Sequence, residues 1–154
     1  MIYLGSDHGG FELKESIKKF LDNLGHKYKD LGNSSFEKED DYPKYAFLVA
    51  KKVGKEDNSS KPWKERSKGI LFCRSSGGMI IAANKVKNVR AVSVFDKISA
   101  KHSREHNDAN VIALSGDWTN EKQAKKIIKT WLETEFSDEK RHKRRLNLIR
   151  DYEK

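Results

Sequence analysis

The one cysteine of the chain, Cys73, stands in the stretch ILFCRSSGGMIIAANK, between an apolar run and a turn of small residues. Two chemistries fit that placement. A lone thiol at the end of an apolar run can be a small hydrophobe packed in the core. It can also be a base or nucleophile. Gly77 and Gly78 let the backbone approach a ligand, and unpaired amides at the start of the following helix favour an anion or a developing oxyanion. The same field is expected to lower the thiol pKa. Taken alone, the residues leave both readings of Cys73 open.

Other polar groups recur just after apolar runs: Ser6, Asp7 and His8 near the start, Asp96 further on, and Ser115 to Trp118 later. Neither glycine segment completes a nucleotide motif, because GSDHGG lacks the G-x-G-x-x-G order and CRSSGG lacks the lysine of a P-loop. In KHSREHNDAN, His102, Glu105 and His106 match the inverted zincin pattern H-x-x-E-H. Two histidines four apart share a helix face, but a further ligand is not evident and a compact α/β domain is an odd host for zinc hydrolysis. The expectation is therefore no metal, with one of the two histidines facing a pocket.

These groups need elements to hold them. Five short apolar runs, MIYLGS, HKYKDLG, GILFC, VRAVSVF and NVIALSG, alternate with amphipathic stretches that begin near Gly10, Tyr42, Gly78, Ile98 and Asn120, with another near Asp138. This alternation predicts a doubly wound, Rossmann-like α/β domain: a five-stranded parallel sheet with helices on both faces. Ligands in such sheets gather beyond the carboxyl ends of the strands, and Asp7, His8 and Cys73 to Gly78 fall there. The polar segment at 54–69 reads as an exposed loop, with Trp63 as its anchor.

At 154 residues the chain is long enough for one self-sufficient core. The N-terminal residues show neither a basic segment nor a long apolar one, and with one cysteine the expected setting is the reducing cytoplasm, with no membrane partner. A formal charge of +9 points to anionic partners without choosing among them. The basic run KRHKRR at 140–145 has no stacking motif beside it, so nucleic acid is not expected as a partner.

Six segments in order, DHGGFELK, DYPKYA, ILFCRSSGGMIIAANK, VRA, SREHNDANVIAL and RHKRR, resemble successive signatures of the ribose-5-phosphate isomerase B family, which includes the galactose-6-phosphate isomerase subunits. The resemblance implies a cofactor-free aldose–ketose isomerase of phosphorylated sugars, a homodimer or dimer of dimers with shared sites. It implies that Cys73 is the base of a cis-enediolate mechanism and that Arg74, Ser75, Ser76, Gly77 and Gly78 form the cradle for the enediolate oxygen. His106 would assist ring opening, with Asn107 beside it, and Asp7 and His8 would contact the sugar. Arg141 and Arg145 would reach the phosphate from a partner subunit, carried by a C-terminal helix at 138–153. The family loop commonly reads Cys-Gly-Thr-Gly-x-Gly, so Arg74 stands where glycine is usual, and Asp117 stands where many members have an arginine near the phosphate. Arg74 therefore either pairs with Asp117 or supplies the missing phosphate charge. The alternatives to a ribose 5-phosphate isomerase are an isomerase of a six-carbon sugar phosphate and a non-catalytic sugar-phosphate-binding protein.

Overall fold

The apolar runs become parallel strands covered on both faces. In the computed structural model, which describes residues 1–154, β1 (Ile2–Ser6), β3 (Lys68–Cys73) and β5 (Val111–Ser115) are buried along their whole length. The three-residue β2 (Tyr28–Asp30) and β4 (Ala91–Ser93) form the edges. The order is β2-β1-β3-β5-β4 and every pairing is parallel. HKYKDLG and VRAVSVF thus contribute shorter strands than their patterns predict, because each has a ladder partner on one side only.

Alternation along the strands divides the core into two layers. Ile2, Leu4, Ile70, Phe72, Ile112 and Leu114 pack against α1 (Phe11–Asn23) and α5 (Glu121–Glu133), through Leu13, Ile17 and Leu21 of the first and Ala124, Ile127, Ile128 and Trp131 of the second. Ala100 of α4 (Lys97–Asn107) joins the same layer. Tyr3, Leu71, Cys73, Val111 and Ala113 face the other layer, formed by α2 (Tyr42–Glu56) and α3 (Gly77–Ala83). Helix starts are set locally: Asp96 and Ser99 make a reciprocal capping box on α4, as do Asn120 and Gln123 on α5. A last helix, α6 (Lys140–Tyr152), lies against α4. No helix is long and apolar enough to cross a membrane.

The segment at 54–69 departs from its expected exposure. α2 runs through Glu56, and the second half of the segment folds inward: Trp63 is 1% exposed, and Arg66, Ser67 and Lys68 are buried with it. Trp63 donates from Nε1 to the Trp131 carbonyl at 3.1 Å and meets the Trp131 ring edge to face. The guanidinium of Arg104 sits 3.5 Å from the centre of the Trp63 ring and the Lys68 ammonium 4.0 Å from it. The prediction of an anchoring Trp63 holds, but the cations drawn to its ring bring the flanking chain into the core as well.

Asp108 closes this arrangement at the end of α4, where it takes a left-handed backbone (φ 45°). Its carboxylate accepts from Arg66 (2.8 and 3.0 Å), Arg104 (2.8 Å) and Arg90 (2.8 Å), and Arg66 also makes a bidentate pair with Asp57. Burial pushes the Asp108 carboxyl up, but the hydrogen bonds from Arg66 and the charges of Arg90 and Arg104 outweigh it and hold the group below the usual carboxylate range. Burial, with Arg104 and Arg66 close by, brings the Lys68 ammonium down to about 8.

Asp108→Asn keeps the shape and the tolerance for positive φ but leaves Arg66 and Arg90 with Asp57 alone and Arg104 with no carboxylate partner. Removing one partner of a buried ion pair costs about 3–5 kcal/mol, and a loss of that size is expected in urea denaturation at neutral pH. The wild-type contribution is complete above the ordinary carboxylate range and fades as pH falls through the lowered Asp108 value, so the two proteins converge in strong acid. A loss under about 1 kcal/mol would assign this cluster no more weight than a surface pair.

Candidate active site

The turn after β1 carries Asp7 and His8. Asp7 is buried and its Oδ1 accepts from the Gly10 amide at 3.2 Å, capping the 3-10 turn His8–Gly10. His8 is held by a residue from another loop: its Nδ1 and its backbone amide both donate to Asp40 Oδ1, at 2.7 and 3.1 Å. Asp40 Oδ2 accepts from Asn33 Nδ2 at 2.7 Å, so the carboxylate is spoken for on both oxygens. With Nδ1 committed as a donor, Nε2 is the ring atom left for chemistry. Burial raises the Asp7 pKa most; the His8 charge pulls it back, the Asp40 charge adds to the rise, and the Gly10 and Gly9 amides lower it less.

Three loops meet here at backbone distance. Gly116 donates from its amide to the Cys73 carbonyl at 2.8 Å, and a Cβ on Gly116 would lie 2.0 Å from the Gly9 carbonyl oxygen. A Cβ on Gly10 would lie 2.3 Å from the Phe72 carbonyl carbon. Ser115 Oγ donates to the Arg74 carbonyl at 2.5 Å and accepts from the Trp118 amide at 3.0 Å. Glycine at these contacts is what lets the ends of β1, β3 and β5 converge.

Cys73 ends β3 beside Ser115, is 4% exposed, and its Sγ accepts from the Ser76 amide at 3.1 Å. The expected lowering of its pKa is reversed. Burial pushes the thiol up and the Asp7 charge pushes it further, and the amides of Met79, Ser76 and Ser75 pull back without prevailing. α3 begins at Gly77, and the positive φ of the turn is at Ser76 (66°), not at either glycine. Ser76 Oγ donates to Ser93 Oγ at 3.0 Å, which ties the turn to β4. Gly78 serves packing, since a Cβ there would lie 2.7 Å from the Tyr42 ring, whereas Gly77 faces open space. Ser75 is exposed.

Arg74 does pair with Asp117, at 3.6 Å, with the two side chains 65% and 42% exposed. Such a pair is worth under about 1 kcal/mol, so it leaves the guanidinium free to move. A cavity of about 420 Å³ lies between the loops, with His8, Arg74, Gly116, Asp117 and Thr119 in its wall. A larger one of about 650 Å³ lies at the other edge of the sheet, between Arg66, Arg90 and α6, and contains none of the predicted site residues.

His106 and Asn107 are not at this edge. α4 leaves the carboxyl end of β4 and returns to the start of β5, so its last residues emerge at the amino edge of the sheet. There the His106 ring stacks on His102 (4.6 Å between centroids) and lies 4.8 Å from His142, which is itself buried and bonded to Ser137 Oγ at 2.7 Å. Arg141 and Arg145 are exposed on α6, and Arg141 reaches no further than Glu139 (2.7 Å). Within one chain the predicted residues therefore form two half-sets: Asp7, His8 and residues 73–78 at one edge, His106, Asn107, Arg141 and Arg145 at the other. Asp40 and Asn33 were not singled out from the sequence; EDDYP offered three adjacent acids and no periodicity to choose between them.

A family model described as Ribose/Galactose Isomerase matches residues 2–149. A probable ribose-5-phosphate isomerase B of Mycoplasma genitalium is 40% identical over 153 residues, covering 99% of this chain and 95% of that protein. A putative sugar phosphate isomerase of Bacillus subtilis is 41% identical over 152 residues, covering 99% and 96%. The crystal structure of ribose-5-phosphate isomerase B from Mycoplasma genitalium with bound ribulose-5-phosphate matches with a TM-score of 0.90 at 39% identity, over 99% of this chain and 95% of that one. The ribose-5-phosphate isomerase B of Clostridium thermocellum matches at 0.88 and 38% identity, over 99% and 96%. Sequence and fold agree along essentially the whole length, and the chain belongs to the ribose/galactose isomerase family of sugar-phosphate isomerases.

Proposed function

We propose that the protein interconverts ribose 5-phosphate and ribulose 5-phosphate without a cofactor, in sites each built from two copies of the chain. The observation that carries this reading is the buried Cys73 thiol, capped by the Ser76 amide at 3.1 Å where the ends of β1, β3 and β5 converge. Cys73 as thiolate takes the proton from C2 of the open-chain aldose. The C–H electrons form the C1–C2 double bond, and the carbonyl oxygen becomes an enediolate oxygen facing the amides of residues 75–78. A proton passes from O2 to O1, and Cys73 returns its proton to C1. Oxyanion donors fixed in place before the reaction are the largest electrostatic aid to such a step.

The same chain cannot bring His106 to Cys73, because the two stand at opposite edges of one sheet. A second copy supplies His106 and Asn107 for ring opening, and Arg141 and Arg145 for the phosphate. Arg145 shares one face of α6 with Arg141, Leu148 and Tyr152, all exposed in the single chain. Leu148 and Tyr152 on that face suit burial in a dimer, and bidentate guanidinium suits a phosphate. Arg74, 3.6 Å from Asp117, offsets part of a carboxylate charge that would otherwise oppose the phosphate.

Cys73→Ala is expected to lower kcat by about 10²- to 10⁴-fold, the usual worth of a general base, while ribose 5-phosphate still binds. Steady-state assays with a panel of five- and six-carbon aldose phosphates test base and substrate together, and a variant keeping most of its kcat removes Cys73 from the mechanism.

Because burial and Asp7 both raise the Cys73 pKa, alkylation of the free enzyme by iodoacetamide should accelerate with pH through an alkaline limb. Asp7→Asn removes an anion that disfavours the thiolate, and the limb should move to lower pH; an unmoved limb would sever the link between the two residues.

Mixed dimers of Cys73→Ala and Arg145→Ala subunits should recover activity that neither parent has, since one of the two sites then holds both intact halves. Verified mixed dimers as inactive as the parents would rule out a shared site.

A further inference from the structure

His102 has no part in the chemistry above, yet it stands one helical turn before His106 on the same face of α4. The two rings stack with centroids 4.6 Å apart and planes 27° apart. Glu105 completes the group: one ligating atom from each of His102, Glu105 and His106 lies within 4.8 Å of the others. The further ligand that the H-x-x-E-H pattern left unidentified is thus the glutamate of the pattern itself. Two imidazole nitrogens and a carboxylate oxygen form a donor set that zinc and its neighbours in the first transition row accept, with a position left for water.

Zinc–nitrogen bonds of about 2.0–2.1 Å place tetrahedral donors about 3.3 Å apart, so the three side chains must close by about 1.5 Å from their 4.8 Å limit. His102 and Glu105 have room to do so, closing on a His106 ring that rests against His142. His102 is exposed, Glu105 and His106 are half-buried, and the Glu105 carboxylate has one weak partner, Lys101, at 3.4 Å. The other three-residue group of this kind, Asp7, His8 and Asp40, is already committed: His8 Nδ1 and Asn33 occupy Asp40, and Gly10 occupies Asp7.

We propose that His102, Glu105 and His106 bind a divalent transition cation, with Zn²⁺ the best fit, and that the bound ion inhibits the isomerase by occupying the His106 imidazole. The binding stands on the cluster alone, whereas the inhibition rests on the ring-opening role proposed for His106. An enzyme regulated in this way works at full rate only where free Zn²⁺ is low.

The test uses the full-length protein with Co²⁺ as a spectroscopic stand-in and Zn²⁺ as inhibitor, in wild type, His102→Ala and His102→Gln. Wild type should develop the visible absorption of nitrogen-ligated Co²⁺ at one equivalent per chain, and Zn²⁺ should inhibit it reversibly, with activity restored by a chelator. Loss of an outer-shell partner of a metal already costs about 10- to 100-fold in affinity, so both His102 variants should need at least that much more metal for either effect. Their turnover without metal should stay at the wild-type level. Equal Zn²⁺ inhibition of wild type and both variants would place the inhibitory ion elsewhere and overturn the proposal, as would a wild type that leaves Co²⁺ in its hydrated form. Metal binding that depends on His102 without any inhibition would keep the site and overturn the role of His106.

Discussion

Parallel strands can be joined only by connections that return across the sheet, and this constraint governs everything else in the molecule. Each helix that follows a strand starts at the carboxyl edge and ends at the amino edge. Residues that open helices, such as those after Cys73, are therefore separated by the full height of the sheet from residues that close them, such as His106. The chemistry proposed above draws on both ends and so invokes a second copy, for which the exposed basic and apolar face of α6 is the proposed contact.

The carboxyl edge is organised around contacts between backbones. Gly9, Gly10 and Gly116 let three loops interlock, and the loop from β2 to α2 adds Asp40 as the group that fixes His8. Around Cys73 two influences oppose each other. Burial and the Asp7 charge favour the neutral thiol, while the amides at the start of α3 favour the thiolate. In the resting site the first pair prevails, and the thiol pKa is held above its ordinary value. A thiol kept neutral is also less open to oxidation, because the thiolate is the reactive form.

The amino edge is organised by charge. Arg104 and Asp108 flank His106 and Asn107 in the chain and are themselves buried among Arg66, Arg90, Asp57 and Trp63. The end of α4 is thereby fixed on both sides of the two residues proposed to reach a partner's substrate. α6 is held to the same place by His142 against His106 and by the Ser137 amide on the Glu105 carbonyl (3.2 Å). One buried cluster thus supports the histidine and, through α6, the arginines.

The sequence by itself determined the five strands, their helices and the parallel sheet, because an apolar run alternating with an amphipathic stretch has few other ways to bury both. It also marked Cys73, His106 and the arginines as candidates, through short segments that resemble those of a known family. The tertiary structure alone decided what depends on distance. It set the sign of the Cys73 shift, since burial outweighs nearby amides only once the α2 and α3 layer covers β3. It chose Asp40 among three adjacent acids by placing that one carboxylate against His8. It turned Arg66 and Lys68 inward, against their usual exposure, because Asp108, Asp57 and the Trp63 ring offered them partners there. Local patterns survive in a linear reading, whereas pairings between distant segments arise only when the chain closes on itself.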